Sequence, residues 1–182
     1  ELVSSNSILR AAKKRYPRVK DTINGRQIIR RVDNQSSIDA TMDRSIILPG
    51  LREVSMDEFS RVRYGPPNIR VSADDERKII RLAESIQQTN KISALIVVDD
   101  GHPEGPYILE GGHRFDALHR INAKSFPAMV VLDIDSIASK VNNGELTSRL
   151  HNQNVDVESL PGKGKNKRVP NTQFTDPRRQ DR

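Results

Sequence analysis

Apolar positions concentrate in the middle of the chain and thin out towards both ends. ALIVVDD, residues 94–100, is a run of buried-strand type that ends in the turn sequence DGHPEGP. YILE, 107–110, is the next strand, so the pair predicts a hairpin. PAMVVLD, 127–133, is a third strand. Around these runs the apolar period lengthens to that of a helix. In SADDERKIIRLAESIQQTN, 72–90, Ile79, Ile80, Ala83 and Ile86 share one face. Ser72 followed three residues on by Asp75 resembles a capping box and places the start. RFDALHRIN, 114–122, sets Phe115, Leu118 and Ile121 at helical spacing. DSIASKVNNG, 135–144, predicts a helix closed by Gly144, and LTSRLHN continues as a further helical turn. Upstream, LREVSMDEF, 51–59, begins as a strand and turns into a short helical piece. The order strand, helix, two strands, helix, strand, helix predicts a compact α+β domain over residues 45–150.

The flanks carry weaker patterns. RAAKKRYPRVK, 10–20, holds six Lys/Arg and no acid, and Pro17 interrupts any helix there. RQIIRRV, 26–32, suits a short strand, and NQSSIDATMD, 34–43, reads as a loop. Residues 1–44 are therefore expected to form a basic N-terminal arm with little regular structure. YGPPNIR, 64–70, is a rigid loop because Pro66 and Pro67 fix φ. Residues 151–182, with GKGKNKR at 162–168, are expected to be a basic flexible tail.

Charge follows the same division. The net charge is +6, but residues 1–44 carry ten Lys/Arg against five Asp/Glu, and 151–182 carry seven against four. The middle carries thirteen against fifteen. Basic ends on a near-neutral domain suit a polyanion, and nucleic acid is the commonest. Arg10, Lys13, Lys14 and Arg15, with Lys163, Lys165, Lys167 and Arg168, are the candidate DNA contacts. Such contacts go mainly to phosphate. With four Phe, three Tyr and no Trp, base stacking is a minor expectation. The absence of cysteine removes disulfides, thiolate nucleophiles and cysteine zinc sites, and suits a cytoplasmic protein. No apolar run reaches the length of a membrane span.

Candidate chemistry gathers in LEGGHR, 109–114. Gly111 and Gly112 open a helix, where close backbone approach and the positive helix end suit phosphate. Arg114 adds a fork that fits phosphate oxygens, and His113 can donate to an oxyanion or pass a proton. Glu110 can hold a metal ion or act as a base. On the 72–90 helix, Lys78, Arg81 and Ser85 fall within a strip about 60° wide beside the apolar face. A solvated face would also produce that row. Asp116 and Arg120 suggest a surface i,i+4 ion pair, and Asp99 and Asp100 suggest turn formers. His113 and His119 fall on different helix faces.

ILEGGHRFDALHRINAKSFPAMVV, preceded in order by LREVSMDEF, PPNIR and DDERKIIRLAESIQQTNKISALIVV, resembles the core of the ParB/sulfiredoxin superfamily. The resemblance covers residues 50–133 and implies a small mixed sheet packed with helices. Gly-His-Arg at 112–114 is similar to the sulfiredoxin and free-serine-kinase variants of the motif rather than to ParB itself. It implies that His113 and Arg114 meet ATP phosphates, with Lys78 and Ser85 on the facing helix. It also implies that Glu110 is catalytic and lies near Mg²⁺ or another divalent cation. The second acid of those kinases has no firm match, with Asp74, Asp75 and Glu76 as possibilities. Gly112 stands at the sulfiredoxin cysteine position, so that repair chemistry is excluded. The chain is nearest to small plasmid-encoded members that suppress fertility or oncogenic transfer. These imply ATPase and DNase activity against transferred DNA, acting near type IV secretion components, in the bacterial cytoplasm or peripherally at the inner membrane. The alternatives are a non-catalytic nucleotide- and DNA-binding regulator and a small-molecule kinase of the serine type.

Overall fold

The computed structural model describes residues 5–59 and 73–142. Helix α1 (Ser5–Arg15) leads into a hairpin of β1 (Thr22–Ile23) and β2 (Arg26–Ile29), followed by the short helix α2 (Ser36–Thr41). Strands β3 (Ser45–Ile47) and β4 (Arg52–Ser55) come next, then a 3₁₀ turn (Met56–Glu58). Helix α3 (Ala73–Thr89), strands β5 (Lys91–Ser93), β6 (Leu95–Asp99) and β7 (Tyr107–Glu110), helix α4 (Gly112–Arg120), strand β8 (Ser125–Asp133) and helix α5 (Ile134–Asn142) complete the described chain. The architecture is α+β, as the periodicity predicts. The capping residue Ser72, the YGPPNIR loop, Gly144, LTSRLHN and the whole of 151–182 lie outside the described residues.

The main sheet is mixed. β6 pairs parallel with β8 and antiparallel with β7, while β3 and β4 both run antiparallel along the other edge of β8. Central β6 is buried at every position, which explains why its sequence shows no alternation. Its side chains point alternately to two faces. Leu95 and Val97 join the larger core with residues of α1, α3, α4 and α5, including Ile8, Ile79, Leu118 and Ile137. Ile96 and Val98 face the smaller core with Ile38 and Met42, at and just after α2. A ring cluster ties three elements together: Phe115 of α4 lies 4.9 Å from Phe59 and 6.0 Å from Phe126 of β8. A second small sheet pairs β2 with β1 and, in parallel, with β5.

Residues 5–44 overturn the expectation of an arm with little regular structure. Ile8, Ala11, Ala12 and Tyr16 are buried against the larger core. They recur at the spacing of one helical face, which the run of basic residues obscures in the sequence. Pro17 ends the helix as expected. The chain then lies along β4, with Glu53 N donating to Pro17 O at 2.7 Å and Val19 N to Leu51 O at 3.0 Å. The buried Tyr16 hydroxyl donates to Asp99, which is itself fully buried. The segment 34–43, read as a loop, contains α2. Ser37 secures its start, donating from N and Oγ to Asn34 O at 3.1 and 2.7 Å.

Candidate functional site

β7 ends at Glu110, and α4 begins at Gly112. The residue between them, Gly111, has φ 101° and ψ 28°, a left-handed conformation that β-substituted residues rarely adopt. A Cβ on Gly111 would also stand 2.7 Å from Leu95 Cγ. The glycine is thus required twice, by its dihedral and by close approach to β6. Phe115 N donates to Gly111 O at 2.8 Å, the first intrahelical bond of α4. The amides before it lie in the turn where a helix has no acceptor of its own. α4 supplies no acidic residue of its own in this first turn, and the carboxylate that reaches it comes from Asp75 of α3.

The two polar side chains of the turn are held differently. His113 Nε2 lies 2.7 Å from Oδ1 of Asp75, whose side chain is 9% exposed in the first turn of α3. A proton on Nε2 pointing at the carboxylate leaves Nδ1 of a neutral ring as an acceptor. Arg114 folds back under the turn, its NH1 donating to Ala94 O at 3.2 Å. Burial lowers the Arg114 pKa from the ordinary arginine value, and the Asp33 carboxylate partly offsets that shift. A desolvated guanidinium gains more from an anion than an exposed one.

The proposed opposite wall is placed less closely. Lys78, Arg81 and Ser85 all lie exposed along α3, as their 60° strip requires. Among the described residues none of the three bonds to His113 or Arg114. The helix crossing nevertheless sets their side. Arg120, at the far end of α4, pairs with Glu76 of α3, while His113 at the near end meets Asp75. Asp75 and Glu76 are about 100° apart around α3, and Lys78 lies about 60° further round, beyond Asp75. The glycine end of α4 therefore projects towards the Lys78 side of α3.

Of the three acids considered as a second site carboxylate, Asp75 alone reaches the turn. Asp74 pairs with Arg77, and Glu76 with Arg120. The expected Asp116–Arg120 surface pair is overturned: Asp116 points inward and is 1% exposed, while Arg120 reaches across to α3. Asp99 and Asp100 do form turns, accepting from Gly101 N at 3.0 Å and His102 N at 3.3 Å. His119 lies away from His113. It lines a cavity of about 270 Å³ with Met56, Asp57, Asn122, Ala123 and Lys124 at the other end of α4.

One contact was not visible in the sequence. Asn34 Nδ2 donates to Glu110 Oε1 at 3.1 Å, across 76 positions of chain. Together with the action of Asp33 on Arg114, it brings the 31–35 segment to the glycine turn. No spacing rule links Asn34 to Glu110, because the approach depends on the parallel pairing of β2 with β5.

Among the described residues no three His, Asp or Glu side chains converge as a metal site. Glu110 is a hard oxygen donor of the kind Mg²⁺ shares with substrate phosphates. Of the candidate DNA contacts, Arg10, Lys13 and Lys14 are exposed on α1. Arg15 is drawn in, its Nε 3.2 Å from Glu58 Oε1. Lys163, Lys165, Lys167 and Arg168 lie outside the described residues. No helix among the described residues is long and apolar enough to cross a membrane. Comparison with family models, curated proteins and solved structures gives no match for this chain.

Proposed function

We propose that the protein binds ATP through the Gly111–Arg114 turn and hydrolyses it with a divalent cation. We further propose that it acts on DNA as a ParB/sulfiredoxin-like nuclease that restrains plasmid or T-DNA transfer through type IV secretion. The observation that carries the reading is the turn itself. It has a left-handed glycine pressed against β6, a helix N-terminus, and a desolvated arginine folded beneath it. These features suit a phosphate group. Lys78, Arg81 and Ser85, on the side towards which the glycines project, suit the outer phosphates or the sugar. His113, oriented by Asp75 through Nε2, presents Nδ1 to take up a proton, and donates to a phosphate oxygen only once it has done so. Glu110 would hold Mg²⁺ jointly with the phosphates, and the cation supplies charge neutralisation. Glu110 also suits the role of orienting the attacking water.

The exposed Arg10, Lys13 and Lys14 of α1 support a DNA partner, because a metabolite kinase has no use for them. Purified protein incubated with ATP, Mg²⁺ and plasmid DNA tests the proposal. Arg114→Ala is expected to weaken nucleotide binding tenfold or more, on the scale of a charge-assisted contact. Glu110→Ala is expected to keep binding and lose phosphate release and nicking. Nucleotide-dependent DNA binding without any turnover would instead establish the non-catalytic regulator. Serine phosphorylation would establish the kinase.

A further inference from the structure

Glu110 carries the chemical step in the reading above, and a carboxylate at a strand end is free to rotate unless something holds it. The Asn34 amide reaches its Oε1 at 3.1 Å. The amide orientation is fixed by charge, since only the NH₂ group can bond a carboxylate. Asn34 is itself fixed. Its φ is 63°, in the left-handed region that Asn tolerates better than other non-glycine residues. Its carbonyl accepts two bonds from Ser37, at 3.1 and 2.7 Å. Across it, Gln35 Nε2 donates back to Val32 O at 3.0 Å, and Val32 packs against the smaller core. After it, Ile38 N donates to Gln35 O at 3.1 Å, and the Ile38 side chain is buried in the same core. The loop is thus pinned on both sides of a residue whose side chain points at Glu110. A left-handed backbone is strained in L-residues other than glycine, less so in Asn than in most. A glycine at this position would avoid that strain but would supply no amide.

We infer that Asn34 is a positioning residue for Glu110, so that the segment before the α+β core completes the site at the β7–α4 turn. The inference rests on Glu110 acting in turnover. Two variants separate positioning from folding. Asn34→Gly keeps the left-handed backbone and removes the amide. Asn34→Asp keeps the shape and sets a second carboxylate against Glu110.

The experiment is steady-state ATP hydrolysis by the full chain, with Glu110→Gln alongside and thermal unfolding recorded for each protein. N34G is expected to lose about tenfold in kcat with KM for ATP within about twofold of the parent, the scale of effect for residues that orient catalytic groups. N34D is expected to lose more, because repulsion turns the Glu110 carboxylate away. A melting point near that of the parent, together with the kcat loss, supports positioning. A lowered melting point with kcat per folded molecule unchanged overturns it. Loss of turnover in E110Q with parental kcat in both Asn34 variants overturns the Asn34 inference alone. Turnover unchanged in E110Q, or none in the parent protein, overturns the reading of Glu110 and the inference with it.

Discussion

At the residue scale, Gly111 does the most to shape the site. Its left-handed dihedral and its closeness to Leu95 are separate demands, and substitutions can divide them. Gly111→Ala breaks both and is expected to destabilise the fold by roughly 2–3 kcal/mol, combining a left-handed penalty with local overpacking. Gly111→Asn satisfies the dihedral better but still meets Leu95, so it recovers part of the loss. Denaturant unfolding of the two variants checks this, and equal stability of G111A and the parent would show that the turn can relax. The glycine pair was legible in the sequence because a strand-to-helix joint without side chains is conspicuous. The partners of His113 and Arg114 were not. Asp75 stood out as a capping-box residue and as one of three consecutive acids, not as a partner of His113, and the Ala94 carbonyl that anchors Arg114 carries no side-chain signal.

At the element scale, the strands and helices from β4 to α5, apart from the three-residue β5, were legible because each shows a helical period or an apolar run with a clear stop. α1 was not. Its buried face is Ile8, Ala11, Ala12 and Tyr16, two of them alanines, and four of the six Lys/Arg of 10–20 interrupt it. Small residues pack a helix closely against a core without raising the local hydropathy. The β1–β2 hairpin was missed although its signal was present. Asn24 and Gly25 both have positive φ, at 52° and 77°, the two-residue turn that Asn-Gly favours. The contrast between an arm and a packed helix is measurable. Ile8→Ala is expected to cost roughly 2–4 kcal/mol in denaturant unfolding, because a fully buried side chain leaves a cavity. An arm residue would cost close to nothing.

At the scale of the whole molecule, the geometry of β6 and β7 separates the two proposed polyanion sites. The glycine turn sits at the start of β6, where Ile96 pairs with Glu110 and Arg114 reaches Ala94. The basic last turn of α1 sits at the other end of β6, because Tyr16, one residue beyond Arg15, bonds Asp99. Four residue steps along the strand lead from Leu95 to Asp99, about 13 Å at the rise of an extended chain. A phosphate on the turn and a DNA backbone on Lys13 and Lys14 therefore occupy different places, and neither needs to displace the other. Saturating ATP is expected to leave the affinity for a short duplex within about twofold. The double variant Lys13→Glu, Lys14→Glu is expected to weaken DNA binding at least tenfold and to flatten its dependence on salt by about two counterions. It should leave nucleotide affinity unchanged, since both side chains are exposed and remote from Gly111. Fluorescence anisotropy of labelled DNA, titrated with and without ATP at several salt concentrations, measures all three quantities. Competition between ATP and DNA that survives in the double variant would place the DNA contact on the glycine turn instead, and α1 would then owe its charge to solubility alone.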